Sequence, residues 1–458
     1  MGNRLNARTG LVASALLLIG GLAQVAQADS DDQTLIERGE AVAIAGDCAA
    51  CHTEHGQPAF SGGHPIQSPL GTIFTTNITP SSEAGIGDYS LEQFSDALRQ
   101  GVRADGSHLY PAMPYTAYAK LSDDDVEALY AYFMHGVAPV DATPPQTDLP
   151  FPFNLRFSMA AWNLLFLDDQ PYQPDSKKSD AWNRGAYLVQ GAAHCGTCHT
   201  PRNLLMAEKP DQALAGASLG TWYAPDITAD PETGIGDWRR DQLVDYLQSG
   251  HASNGATAGG PMLEAIDKSF SRLPQSDLEA IATYLLPADS GEGEPVSEPT
   301  EASQGIAPLT DNDTPAALAE IGSGERVYRD NCAACHAPDG RGLNGLPALT
   351  GHPVLDKPNA DNVAMAVLEG VWPEHGQGML GFADELDDAQ VADVTHYVMT
   401  AFGDSDVTID AARVGELRAG GAPSPLLPLA RAGMAVGVVA LLALLGGWLW
   451  RRRRQHRR

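Results

Sequence analysis

Apolar positions recur at helical spacing in three separate stretches, and each stretch ends on a tyrosine in the same register. The stretches are 121–132, 273–284 and 386–397, closing on Tyr132, Tyr284 and Tyr397. Ser122, Ser276 and the aspartates after Leu386 supply N-cap and first-turn oxygens, which start a helix. A second helical pattern precedes each, at 36–46, 182–191 and 324–330. Two helices with inward apolar faces around a loop predict a small helical unit, here repeated three times. The fold class expected is therefore all-α.

The repeat divides the chain of 458 residues. Units are expected at 29–140, 181–287 and 317–403. The first two share an insert that the third lacks: 71–79 aligns with 220–228 without a gap, followed by Gly85-Ile-Gly87 and Gly234-Ile-Gly236. Connector 141–180 is apolar at 151–157 and 162–166, too greasy for a free linker, and is expected to pack across units one and two. Segment 288–316 is rich in Pro, Glu, Ser and Gly and reads as a flexible linker. Segment 404–430 reads as a tether.

Both ends carry membrane signals. Arg4 and Arg8, an apolar stretch at 11–22 and Ala26-Gln27-Ala28 form the layout of a secretory signal peptide, expected as 1–28. At the other end 432–450 holds no charged residue and spans nearly 30 Å as a helix. Arg451 to Arg454, Arg457 and Arg458 follow, and basic clusters stay on the cytoplasmic side. A transmembrane helix at 431–450 is expected, with a basic tail at 451–458 inside and the helical units on the periplasmic face of the cytoplasmic membrane.

The chemistry sits before each loop. All six cysteines fall into Cys48-Ala-Ala-Cys51-His52, Cys195-Gly-Thr-Cys198-His199 and Cys332-Ala-Ala-Cys335-His336. Cys-x-x-Cys-His is the covalent heme attachment motif: two thiols add to the heme and the histidine reaches the iron. Zinc or thiol redox use would not require the histidine in every copy. Three covalent hemes c are expected, with His52, His199 and His336 as proximal ligands. For the far side of the iron, Met113, Met262 and Met379 are each expected in a Gly/Pro-rich loop between the motif histidine and the closing helix. A thioether there raises the potential of an electron-transfer heme. His64, His108, His251, His352 and His375 are rival ligands. A motif histidine also needs an acceptor for its other ring nitrogen; Pro347 is placed to serve His336 and Pro69 to serve His52, while unit two has Ser218 at the aligned position. Arg202 is placed either to meet a heme propionate or to sit on the surface.

A formal charge of −29 excludes nucleic acid as a partner. No dinucleotide loop, nucleophile elbow or metal-hydrolase motif occurs, so no substrate-oxidising site of the chain's own is expected.

The residues resemble the triheme cytochrome c subunit of membrane-bound alcohol, gluconate and sugar dehydrogenases. The specific pieces are Thr76-Asn-Ile-Thr-Pro80, Tyr110-Pro-Ala-Met-Pro-Tyr115, Phe151-Pro-Phe-Asn-Leu-Arg156 with Trp162-Asn-Leu-Leu-Phe166, and Cys198-His-Thr-Pro-Arg202. The resemblance implies three tandem cytochrome c-type domains, Met113, Met262 and Met379 as axial ligands, and a separate dehydrogenase catalytic subunit as partner. It implies passage of electrons to membrane ubiquinone. Electron donation to a terminal oxidase and a c-type heme peroxidase are the alternative functions. One departure stands in unit three, where Met379-Leu-Gly-Phe382 replaces the family's usual Met-Pro-Ala-Phe.

Overall fold

The computed structural model describes residues 32–287, 321–343, 346–403 and 405–455. The expected signal peptide and the linker from 288 onward lie outside the described residues. Each unit is built on one crossing of its opening and closing helices. In the first, helix 32–45 crosses Asp123–Ala131; in the second, Asp180–Tyr187 crosses Gln275–Leu285; in the third, Ser323–Asn331 crosses Asp388–Gly403.

A glycine makes each crossing possible. A Cβ on Gly39 would lie 1.9 Å from the carbonyl oxygen of Ala128 and 2.7 Å from Tyr132 Cβ. On Gly185 it would lie 1.9 Å from the Ala280 oxygen and 2.8 Å from Tyr284 Cβ. On Gly324 it would lie 2.2 Å from the Asp393 oxygen and 2.8 Å from Tyr397 Cβ. The helices touch backbone to backbone, and the register tyrosines are the residues that seat there. Units one and two add an ion pair beside the crossing, Arg38–Asp125 at 2.8 Å and Arg184–Asp277 at 2.6 Å.

The all-helical expectation meets one small difference. Units one and two each carry a two-stranded antiparallel hairpin, Pro65–Ser68 with Gly71–Phe74 and Ala215–Ser218 with Tyr223–Asp226. The aligned turn glycines Gly71 and Gly220 sit at φ 134° and 102°, where other residues are strained. The shared Gly-Ile-Gly closes the insert: Ile86 N donates to Thr79 O and Ile235 N to Thr228 O, both at 2.9 Å.

Units one and two share one apolar core, which runs from Ala43 through Val189 to Leu286. Connector 141–180 stitches them. Asn77 Nδ2 donates to Val140 O and Ala142 O, Tyr115 Oη to Asn163 Oδ1, and Trp162 Nε1 to Leu205 O. Unit three has its own core, but Trp222 of unit two is part of it. Asn362 pairs with both backbone groups of Tyr223 at 2.8 Å, and Lys268 meets Glu374. The third unit therefore docks on the second. Nor is 404–430 a free tether throughout: helix Ala411–Arg418 buries Val414 and Leu417 in the third core, and Arg413 pairs with Asp361 at 2.6 Å. Apolar side chains at i and i+3, Val414 and Leu417, supply the docking face. Helix Leu426–Gln455 follows, with its side chains exposed, long and apolar enough to cross a membrane.

Candidate heme sites

The crossing sets where each motif begins. In units one and two the chain leaves its opening helix through a left-handed residue, Asp47 at φ 50° and His194 at φ 40°. That corner turns the chain directly into Cys48–His52 and Gly196–His199. In unit three helix Ser323–Asn331 passes into Ala333–His336 without such a residue.

All three motif histidines are held alike. Nδ1 lies 2.7 Å from Thr76 O in His52, 2.7 Å from Pro225 O in His199 and 3.0 Å from Pro347 O in His336. A carbonyl only accepts, so Nδ1 carries the hydrogen and Nε2 keeps its lone pair for a metal. Pro347 is the expected acceptor. For His52 the acceptor is Thr76 rather than Pro69, because the hairpin turns Pro69 away and presents the residues after its second strand. Thr76 and Pro225 are aligned positions, so the insert shared by both units supplies the same carbonyl. Burial pushes all three imidazoles below their ordinary pKa, keeping them neutral.

The thiols complete the fit. Burial, chiefly, pushes Cys48, Cys51 and Cys195 up to about 12 and Cys332 to about 11. Redox-active Cys-x-x-Cys pairs and zinc ligands need easily formed thiolates; these environments oppose them. None of the six cysteines is in a disulfide. Among the described residues no three His, Cys, Asp or Glu side chains converge as a metal site. A neutral imidazole with its Nε2 free, beside two cysteines that are not in a disulfide, suits covalent heme attachment.

The methionines are less alike than the sequence suggested. Met113 is half-buried against the shared core, in a bend ahead of Tyr115–Tyr118. Met262 lies not in an open loop but in the first turn of helix Gly260–Lys268, packed on the same core. Pro261 at the helix start explains this, since its fixed φ favours the first turn. Met379 forms a backbone bridge with Val371, at 2.8 and 3.0 Å. Gly381 lets that strand lie on the end of helix Asp361–Glu369: a Cβ there would sit 2.6 Å from Leu368 O.

The rival histidines have other company. His64 Nδ1 lies 3.5 Å from Glu54, His352 Nδ1 accepts from Val354 N, and His375 is exposed. The backbone of His251 bridges Thr257 and that of His108 bridges Val102; His108 Nδ1 is buried without a partner. Arg202 is not a plain surface residue. It donates to Thr197 O and Met206 O, both at 2.8 Å, and so clamps the second motif.

Motifs one and two face each other. Helix Cys48–His52 packs on Gly260–Lys268. Tyr118, fully inside, donates to Gly46 O at 2.6 Å and sets its ring 5.5 Å from that of His194. Burial, with nearby Glu264, pushes the Asp47 carboxyl up to about 8.

Helices crossing at glycine, with a carbonyl-held histidine after two free cysteines, define a c-type cytochrome. The sequence pattern of the family described as Cytochrome c matches residues 36–136 and 321–402. The middle unit, outside those matches, repeats their helix crossing and histidine geometry. Over 440 residues the chain is 42% identical to the fructose dehydrogenase cytochrome subunit of Gluconobacter japonicus, covering 91% of this chain and 90% of that one. It is 39% identical to the cytochrome c subunit of the quinone alcohol dehydrogenase of Gluconobacter oxydans, covering 90% and 88%. With the gluconate 2-dehydrogenase cytochrome c subunit of Pantoea cypripedii the identity is 38%, covering 88% and 94%. The chain belongs to the cytochrome c family, in the group that holds these dehydrogenase cytochrome subunits.

Proposed function

We propose that the chain is the electron-transfer subunit of a membrane-bound dehydrogenase complex. It takes electrons from a catalytic subunit that oxidises an alcohol, sugar or sugar acid, and delivers them to ubiquinone. Three hemes c are attached at Cys48 and Cys51, Cys195 and Cys198, and Cys332 and Cys335. His52, His199 and His336 hold the irons on one side; Met113, Met262 and Met379 hold them on the other. The cytochrome domains span 29–140, 181–287 and 317–403, on the periplasmic side of the membrane, anchored by the C-terminal helix. When bound, heme c supplies a one-electron iron couple; the chain fixes the histidine tautomer, excludes water and sets the spacing.

The threefold recurrence of one histidine geometry carries this reading. Its test is a heme count by mass on the purified holoprotein, joined to a quinone-reduction assay of the complex. Three attached hemes and reduction of a ubiquinone analogue by the substrate-fed complex are expected. Two hemes, or a complex that reduces only a terminal oxidase, would overturn it. For the ligands, Met113→Ala, Met262→Ala and Met379→Ala are each expected to remove one sulfur-to-iron absorption band of the oxidised protein and lower one potential.

A further inference from the structure

We infer that the connector between the first two units lies in the outer face of the lipid bilayer, as a second membrane contact beside the C-terminal helix. Helix Ser158–Phe166 buries none of its residues. Its inward face is held by polar bonds and one ring contact: Asn163 joins Tyr115 and Gln100, Trp162 donates to Leu205 O at 2.9 Å, and the Trp162 ring packs edge-on against Tyr115. Its outward face carries Phe157 at 72% exposure, Ala160, Ala161, Leu164 at 86% and Leu165 at 69%. Those positions fall at helical spacing, so they form one apolar stripe. No charge interrupts it from 157 to 167, with Arg156 and Asp168 flanking. The Trp162 bond brings a second element to the stripe, where Leu204 is 75% exposed and Leu205 54%.

An apolar patch of this kind needs a cover. The chain itself indicates a lipid one. Arg431 immediately precedes the uncharged run 432–450 and so belongs at headgroup level. Its Nε donates to Phe151 O at 3.4 Å, at the start of the same connector. The anchor thus fixes the connector's depth at the interface, where an apolar stripe with charged ends lies in the membrane plane. A protein partner would find almost no polar atom to pair with on this face.

The inference rests on the reading of Leu426–Gln455 as an anchor, and the test separates the two. The full-length holoprotein, in nanodiscs carrying a diazirine phospholipid, is irradiated and its peptides are mapped by mass. Labelling of both the anchor and the 157–166 peptide is expected. The double variant Leu164→Gln/Leu165→Gln, whose positions lie outside any core, should lose the connector label, keep the anchor label and retain the wild-type heme spectrum. Label on the anchor alone overturns the inference and leaves the anchor standing. Label on neither overturns both. A connector labelled without the catalytic subunit but protected with it would make this face a protein interface, and also overturns the inference.

Discussion

At the residue scale, the crossing glycines leave no room for a side chain. Gly185→Ala puts a methyl 1.9 Å from a backbone oxygen, and neither helix can retreat without opening the shared core. A loss of about 3 kcal/mol is expected, read as a lower unfolding midpoint of the holoprotein; an unchanged midpoint would mean the helices cross elsewhere. His352 gives a pH dependence. Burial first, then His336, lowers it from its ordinary 6.5 to about 4, and its neutral Nδ1 accepts from Val354 N at 3.2 Å. Above the unfolded value both states lack the proton, so the contribution is fully present. As pH falls from 6.5 toward 4 the unfolded chain binds a proton that the folded one refuses, and stability is lost at up to about 1.4 kcal/mol per pH unit. Denaturant titrations at pH 7, 6 and 5 check this. His352→Asn should flatten the loss, and parallel curves for the two proteins would refute it.

At the element scale, the joint between units one and two turns on Tyr187. Its hydroxyl donates to Asp125, accepts from Ser122 N at 3.1 Å and sits at the start of the first unit's closing helix. Burial, then Asp125, pushes the phenol up to about 12, so it remains a donor. Tyr187→Phe leaves the Ser122 amide and one carboxylate oxygen unpaired. A cost of about 1–2 kcal/mol is expected, with faster hydrogen exchange at Ser122; unaltered exchange there would count against the joint. This scale also shows what the sequence could reveal. The register tyrosines and the aligned Gly-Ile-Gly were legible because a repeat exposes them by comparison. The matched carbonyls of Thr76 and Pro225 were not, because any residue can offer a carbonyl and the hairpin that aims them has no strong strand pattern. Met262 was misplaced because proline marks both loops and first turns of helices.

At the scale of the whole molecule, the third unit matters most. Low-complexity composition after 287 suggested independence, yet composition of a linker says nothing of the surfaces it joins. Those surfaces are specific. Trp222 leaves its own hairpin to enter the third core and lies over Gly260, where a Cβ would meet its ring at 2.4 Å. The start of the Met262 helix and the core beside Met379 thus share one indole, braced by its bond to Glu369 at 3.2 Å. Asn362 satisfies both backbone groups of Tyr223 with one side chain. Electron exchange falls steeply with distance, so a unit held this way exchanges with its neighbour at a fixed rate, whereas a swinging one averages over many. Asn362→Ala removes both bonds without touching either core. Each lost bond is worth about 1 kcal/mol, enough to populate an undocked state several-fold more. The expected outcome is a larger radius in solution scattering and slower equilibration between the hemes proposed for units two and three after flash reduction, with both heme spectra intact. If the rate and radius stay at their wild-type values, Trp222 alone holds the seam, and Trp222→Ala becomes the variant that should release it.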